Sequence, residues 1–69
     1  MPPTRQDFVA TAAILRDQIE STRDLVILSA LARTAEAFAH EYAEANPNFS
    51  HTRFYTACGL TATGKPREN

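Results

Sequence analysis

Residues 24–32 read DLVILSALA, a run of large aliphatic side chains in a chain of only 69 residues. Its leucines, Leu25, Leu28 and Leu31, recur every three residues and begin a stripe that continues along the segment. At about 100° per residue the stripe covers an arc of roughly 160°, which predicts an amphipathic helix over residues 22–45. The apolar members of the stripe are Leu25, Leu28, Leu31, Ala32, Ala35, Phe38, Ala39 and Tyr42.

A preceding helix is predicted over residues 5–20, which contain neither glycine nor proline. Its apolar residues recur at steps of four, three and four and therefore share one face. They are Phe8, Ala12, Leu15 and Ile19. Thr4 can cap this helix, with Asp7 at the spacing of a capping pair. The stripe loses its phase beyond residue 20, so we expect a break near Ser21, where Ser21 and Asp24 offer a second capping pair.

A short third helix is predicted over residues 51–58. Ser50 precedes it and can cap its free backbone N–H groups. Phe49 and Phe54 stand at the spacing of a hydrophobic staple. Gly59 fits the left-handed residue of a Schellman ending, in which the leucine after it packs back onto the helix. So many local signals in twelve residues favour a well-defined segment.

Asn46-Pro47 separates the second helix from the third, because the residue before a proline is pushed out of the α region. Residues 61–69 are polar, contain Gly64 and Pro66, and predict a flexible tail. The fold class is therefore all-α: a helical hairpin plus a short third helix, in a single three-helix domain at residues 1–60. The predicted core is Phe8, Ala12, Leu15, Ile19, Leu25, Leu28, Leu31, Ala35, Phe38, Tyr42, Phe49 and Phe54.

Chain length favours assembly with a second copy. A domain of this size buries only about 60% of the surface that its unfolded chain exposes. A single cysteine, Cys58, excludes a disulfide within the chain, and small domains otherwise depend on a metal or a partner. Several apolar residues lie off the two stripes, so we expect a two-fold helical-bundle homodimer. The predicted interface consists of Val9, Ala13, Ile14, Val26 and Ala30.

Composition argues against several classes of partner. Seven basic and eight acidic residues give a net charge of −1, whereas nucleic acids and anionic membranes select basic surfaces. The longest apolar run, residues 25–28, is far shorter than the ~20 residues that a membrane span needs.

No signal peptide is evident, and one unpaired thiol suits a reducing compartment. The expected location is the cytoplasm.

The end of the chain resembles a recurring ending of small helical proteins from actinobacteria and their phages. The matching residues are Asn46-Pro47-Asn48-Phe49-Ser50, Arg53-Phe54 and Ala57-Cys58-Gly59, with a similar helical opening at Thr4-Arg5-Gln6-Asp7-Phe8. An aspartate is more usual where this chain has Ser50, and both residues cap helices. The resemblance implies a helical fold and a possible phage origin, and for a phage-encoded chain the expected location is the cytoplasm of a bacterial host. It implies no activity and assigns no catalytic or binding residue.

Two polar groupings could carry chemistry. Glu36, His40 and Glu44 follow one another at four-residue steps, a spacing that could hold a divalent metal, but also one typical of a solvated helix face. Cys58 and His51 could form a thiol–imidazole pair, although they stand two helical turns apart without a third orienting group. We favour the solvated face and a buried, unreactive thiol. The sequence predicts no metal, no cofactor and no catalytic residue, hence no enzyme.

A nucleic-acid-binding regulator is the alternative function. The third helix and the tail carry residue types that contact bases and phosphates. These are His51, Thr52, Arg53, Thr56, Lys65 and Arg67. Because the basic residues are few and the second helix is long for a compact DNA-binding motif, we favour a protein–protein interaction module. It would act as a modulator of a host or phage protein.

Overall fold

A computed structural model describes residues 4–67 of the chain. Residues 1–3 of the predicted domain and residues 68–69 of the predicted tail lie outside this range. Three helices follow in order: α1 at Arg5–Glu20, α2 at Leu25–Ala45 and α3 at His51–Ala57. Residues 4–67 contain no strand, so the all-helical prediction is confirmed.

The first two helices form an antiparallel hairpin. Near the start of α1 the Thr11 and Tyr42 hydroxyls share a hydrogen bond of 2.7 Å, and Tyr42 belongs to the last turn of α2. The Phe8 ring lies 4.7 Å from the Tyr42 ring between centroids. The start of α1 therefore lies beside the end of α2.

The start of α1 is fixed as predicted. Thr4 Oγ1 accepts a hydrogen bond from the Asp7 N–H, and Asp7 Oδ2 accepts one from the Thr4 N–H at 2.7 Å. This capping box satisfies two backbone donors that a helix start otherwise leaves free.

The turn between α1 and α2 differs from the expected arrangement. Ser21 ends α1, and its hydroxyl donates to the Asp17 and Gln18 carbonyls at 2.8 and 3.0 Å. Asp24 alone caps α2, its Oδ1 accepting from the backbone N–H groups of residues 26 and 27. Because Ser21 is committed to the preceding helix, α2 begins at Leu25 rather than at residue 22.

The third helix has the predicted N-cap, staple and Schellman ending. Ser50 Oγ accepts from the Arg53 N–H, and the Phe49 and Phe54 rings lie 5.5 Å apart between centroids, which confirms the staple. Gly59 has φ +84°. The Gly59 and Leu60 N–H groups donate to carbonyls of α3 at 3.0 Å in the Schellman pattern. Cys58 is the C-cap, so α3 ends one residue earlier than expected.

The chain beyond α3 contains a hydrogen-bonded turn over residues 61–65, and the flexibility of residues 61–69 stays a prediction. The Thr61 N–H donates to the Lys65 carbonyl at 2.9 Å, and the Lys65 N–H donates to Thr61 Oγ1 at 3.0 Å. Gly64 is buried against the Tyr55 ring with φ +83°. Gly64 makes this possible, because a Cβ there would lie only 3.0 Å from Tyr55 Cζ.

Ten of the twelve predicted core residues lie in the core or pack against it. The exceptions are Leu25, which is 76% exposed, and Phe38, which is 40% exposed. Leu25 sits in the first turn of α2, beyond the end of α1. Phe38 lies at the edge of an apolar arc wider than its neighbours cover, and its ring stacks on Tyr42. The core also contains Ala32, Ala39, Tyr55, Cys58 and Leu60.

Candidate interaction surfaces

Helix α3 covers only one side of the hairpin. A depression lined by Arg33, Glu36 and His40 of α2 and by His51 and Tyr55 of α3 shows which side of α2 it packs against. On α1, Val9 lines a groove with α3 and Arg16 lies beside Gly59, the residue after the α3 cap. We call this the covered side of the hairpin.

The opposite side of the hairpin carries apolar residues that the described elements leave exposed or only partly covered. Arg33 and His40 mark the covered side of α2. At about 100° per residue, Ile27, Leu31 and Phe38 lie roughly 120–180° around the helix axis from these two residues. By the same geometry, Ile14 lies about 140° around α1 from Val9. We define the open face by Ile14, Ile27, Leu31 and Phe38. Ile14 is 66% exposed, Ile27 is 47% exposed and Phe38 is 40% exposed, whereas Leu31 is partly buried.

The five predicted interface residues are all exposed, but they do not form one patch. Val9 lines the groove beside α3, and Ile14 does not. Val26 belongs to the first turn of α2, at the far end of the hairpin from Val9. At 1.5 Å per residue these two side chains are separated by about 20 Å along the helix axes. The sequence identified exposed apolar residues without showing which of them are neighbours.

The groove between α1 and α3 is the second candidate surface. Its volume is about 300 Å³ and its floor is apolar, formed mainly by Phe8, Val9, Phe49 and Phe54. Arg5 of α1 and Arg53 of α3 line it together with polar residues of the α2–α3 connection. Within the described part of the chain, no acidic residue lines this groove.

Arginine placement is a signal that could have revealed the groove from the sequence. Arg5 and Arg53 each fall in the first turn of a helix. A positive charge there is unfavourable, because the helix dipole places partial positive charge at the N-terminus. Two such arginines on the helices that form one groove are consistent with a role outside helix stability.

The acidic and histidine residues of α2 form no metal site in residues 4–67, where no group of three potential ligands converges. His40 Nε2 lies 3.4 Å from Glu44 Oε1, and both side chains are mostly exposed. Such a contact is an ordinary one between residues one turn apart on a helix.

Cys58 and His51 lie in different environments. Cys58 is fully buried, and desolvation raises the pKa of its thiol to about 11. Since the thiolate is the reactive form, this cysteine is poorly suited to nucleophilic chemistry near neutral pH. His51 is exposed, and its ring packs edge-on against Phe49 at 5.4 Å. Burial, and then the charges of Glu36 and Cys58, raise the pKa of nearby Tyr55.

The residues considered for nucleic-acid contact are exposed on α3 and the following turn. Arg67 also has a structural contact, since its Nε donates to the Leu60 carbonyl at 3.3 Å. Arg53 faces the apolar groove described above.

Compared with protein-family models, curated proteins and solved structures, the chain matches none of them. Among residues 4–67, no helix combines the length and the apolar character that a membrane crossing requires.

Proposed function

We propose that this chain is a non-enzymatic protein–protein interaction module that works as a two-fold homodimer. The observation that carries the proposal is the open face, a set of large apolar side chains on the side of the hairpin that α3 leaves uncovered. Pairing two open faces would form a four-helix bundle from two hairpins. In a two-fold dimer the same patch serves both copies, so one self-complementary apolar face is sufficient.

The exposure of the apolar side chains supports this proposal. Ile14 is 66% exposed, Ile27 is 47% exposed and Phe38 is 40% exposed. Burial of apolar surface is the main favourable contribution to most protein–protein association. A second copy could therefore remove these side chains from water.

Sedimentation velocity tests the proposal. We expect the wild-type chain to sediment as a dimer at about 10 µM, a concentration at which weakly associating copies dissociate. Ile14→Asp should shift the population strongly toward monomer, because it places an unpaired charge in an apolar interface. Val9→Asp is the matched control, an exposed aliphatic residue of α1 on the other side of the hairpin. A folded wild-type monomer would refute the dimer.

We further propose an origin in an actinobacterium or its phage, and action in the bacterial cytoplasm on a host or phage protein. The support is the resemblance of residues 46–59 to the ending of such small helical proteins. The test is recovery from host lysate of a specific partner that the wild-type chain retains and that Val9→Asp loses.

A further inference from the structure

We propose that the groove between α1 and α3 binds a segment of a partner protein in which an apolar side chain is flanked by carboxylates. The inference rests on the proposed interaction function but not on the dimer. The open face lies on the other side of the hairpin, so the groove remains accessible when two copies pair. The chain would then have one surface for itself and one for a different protein.

The floor of the groove suits an aliphatic or aromatic side chain. The Phe8 and Phe49 rings meet edge-on at 4.9 Å, and Phe49 and Phe54 lie 5.5 Å apart, so the rings hold one another in place. Val9 is 60% exposed at the edge of this floor. A volume of about 300 Å³ is at the small end of the range for pockets that bind compact ligands, which begins near ~300 Å³.

The charges that line the groove determine which residues of the partner should stand beside its apolar side chain. Arg5 and Arg53 both line it, and among residues 4–67 neither guanidinium has a carboxylate within ion-pair distance. A guanidinium presents a planar set of donors that matches a carboxylate. A segment with aspartate or glutamate beside its apolar anchor would satisfy both arginines.

The positions of the arginines show that helix stability does not explain them. Arg53 is the third residue of α3 and follows the cap Ser50 at the spacing where a capping box carries glutamate. At the equivalent position of α1 the chain has Asp7, which completes a capping box with Thr4. The chain therefore has a complete capping box at α1, whereas α3 has the capping serine without the acidic partner. Residues that break a local rule in this way concentrate at functional sites.

A carboxylate-bearing segment fits this groove better than a nucleic acid does. Phosphate backbones are bound by several basic residues along a continuous surface, and this groove offers two, on either side of an apolar floor. The net charge of −1 opposes general attraction of a polyanion. A single apolar anchor with adjacent carboxylates uses both features of the groove.

Fluorescence polarisation of two labelled peptide probes tests the proposal. The acidic probe carries Leu-Phe between aspartates, and the basic probe carries the same Leu-Phe between lysines. We expect saturable binding of the acidic probe, with a Kd between about 10 µM and 1 mM, weakening at high salt. No binding of the basic probe is expected. Equal binding of both probes, or no saturation by the acidic probe, would overturn the proposal.

Charge-reversal variants locate the binding site. Arg53→Glu should lower affinity for the acidic probe at least tenfold, yet leave the melting temperature unchanged or raised, because it completes a capping box with Ser50. Arg33→Glu, on α2 outside the groove, should have little effect on affinity. An unchanged affinity in Arg53→Glu would rule out the groove as the site.

Two α1 variants separate this inference from the dimer. Val9→Asp should abolish binding of the acidic probe while sedimentation remains that of a dimer. Ile14→Asp should give monomers that still bind the probe. Monomeric wild type with normal probe binding would refute the dimer alone, whereas a dimer without probe binding would refute the groove alone.

Discussion

The covered and open sides of the hairpin carry similar apolar residues but differ in how far these residues are buried. On the covered side, Phe54 and Leu60 are buried by packing against the hairpin. On the open side, Ile27 and Phe38 belong to the same helix that supplies the core, yet remain partly exposed. The difference is that α3 has only seven residues and packs against one side. The short third helix covers one side of the hairpin and leaves the other side available for association.

The largest expected difference between the two sides is in the effect of phenylalanine truncation. Phe54→Ala should lower the free energy of unfolding by about 3–5 kcal/mol, because it leaves a cavity in the core. Phe38→Ala should lower it by only about 1 kcal/mol or less, since Phe38 is at the surface of one copy. Urea unfolding in the monomeric Ile14→Asp background measures both. Equal losses would show that the two sides are not distinct.

The turn after α3 offers an intermediate effect on the covered side. Gly64→Ala should destabilise the fold by about 1–3 kcal/mol, because alanine is strained at positive φ and its Cβ would press on the Tyr55 ring at 3.0 Å. Gly59→Ala is the matched control, with a similar φ but a nearest contact of 3.7 Å to Arg16 Cγ. We expect the larger loss at Gly64. The reverse order would show that the turn does not pack on Tyr55.

The smallest expected effect is the loss of folding stability at high pH that follows from the burial of Cys58. The reactivity of the thiol is the most convenient measure of that burial. Burial raises the pKa of Cys58 to about 11 from its ordinary value near 9. The neutral thiol thus stabilises the folded state below pH 9, and this contribution is lost as the pH rises toward 11.

An exposed thiol supplies the comparison. In Val26→Cys, a thiol-specific reagent at pH 8 should label the new cysteine rapidly and Cys58 only after denaturation, because the thiolate reacts. Labelling of both sites at one rate in the folded protein would contradict the burial of Cys58.

Features set within a few residues could be predicted from the sequence. The cap at Ser50, the staple of Phe49 and Phe54, and the Schellman ending at Gly59 all act within α3 and its flanks. The same holds for the capping box of Thr4 and Asp7. Each depends on side-chain chemistry and spacing within one helix end.

Features decided by distant contacts could not be predicted. Leu25 and Leu28 belong to one stripe, but only Leu28 is reached by neighbouring elements. The close approach of Gly64 to the Tyr55 ring joins the turn after α3 to a residue of α3. The groove combines Arg5 with Arg53 from opposite ends of the chain, and the predicted interface residues were dispersed because periodicity does not reveal which side α3 occupies.

Contacts between two copies across the open face are the most direct test of the central claim. A mixed sample of isotope-labelled and unlabelled chains, studied by isotope-filtered nuclear Overhauser spectroscopy, reports only contacts between copies. We predict cross-copy contacts among Ile14, Ile27 and Phe38, and none at Val9. Contacts at Val9 and Phe49 instead, or no contact between copies at all, would contradict the proposed dimer interface.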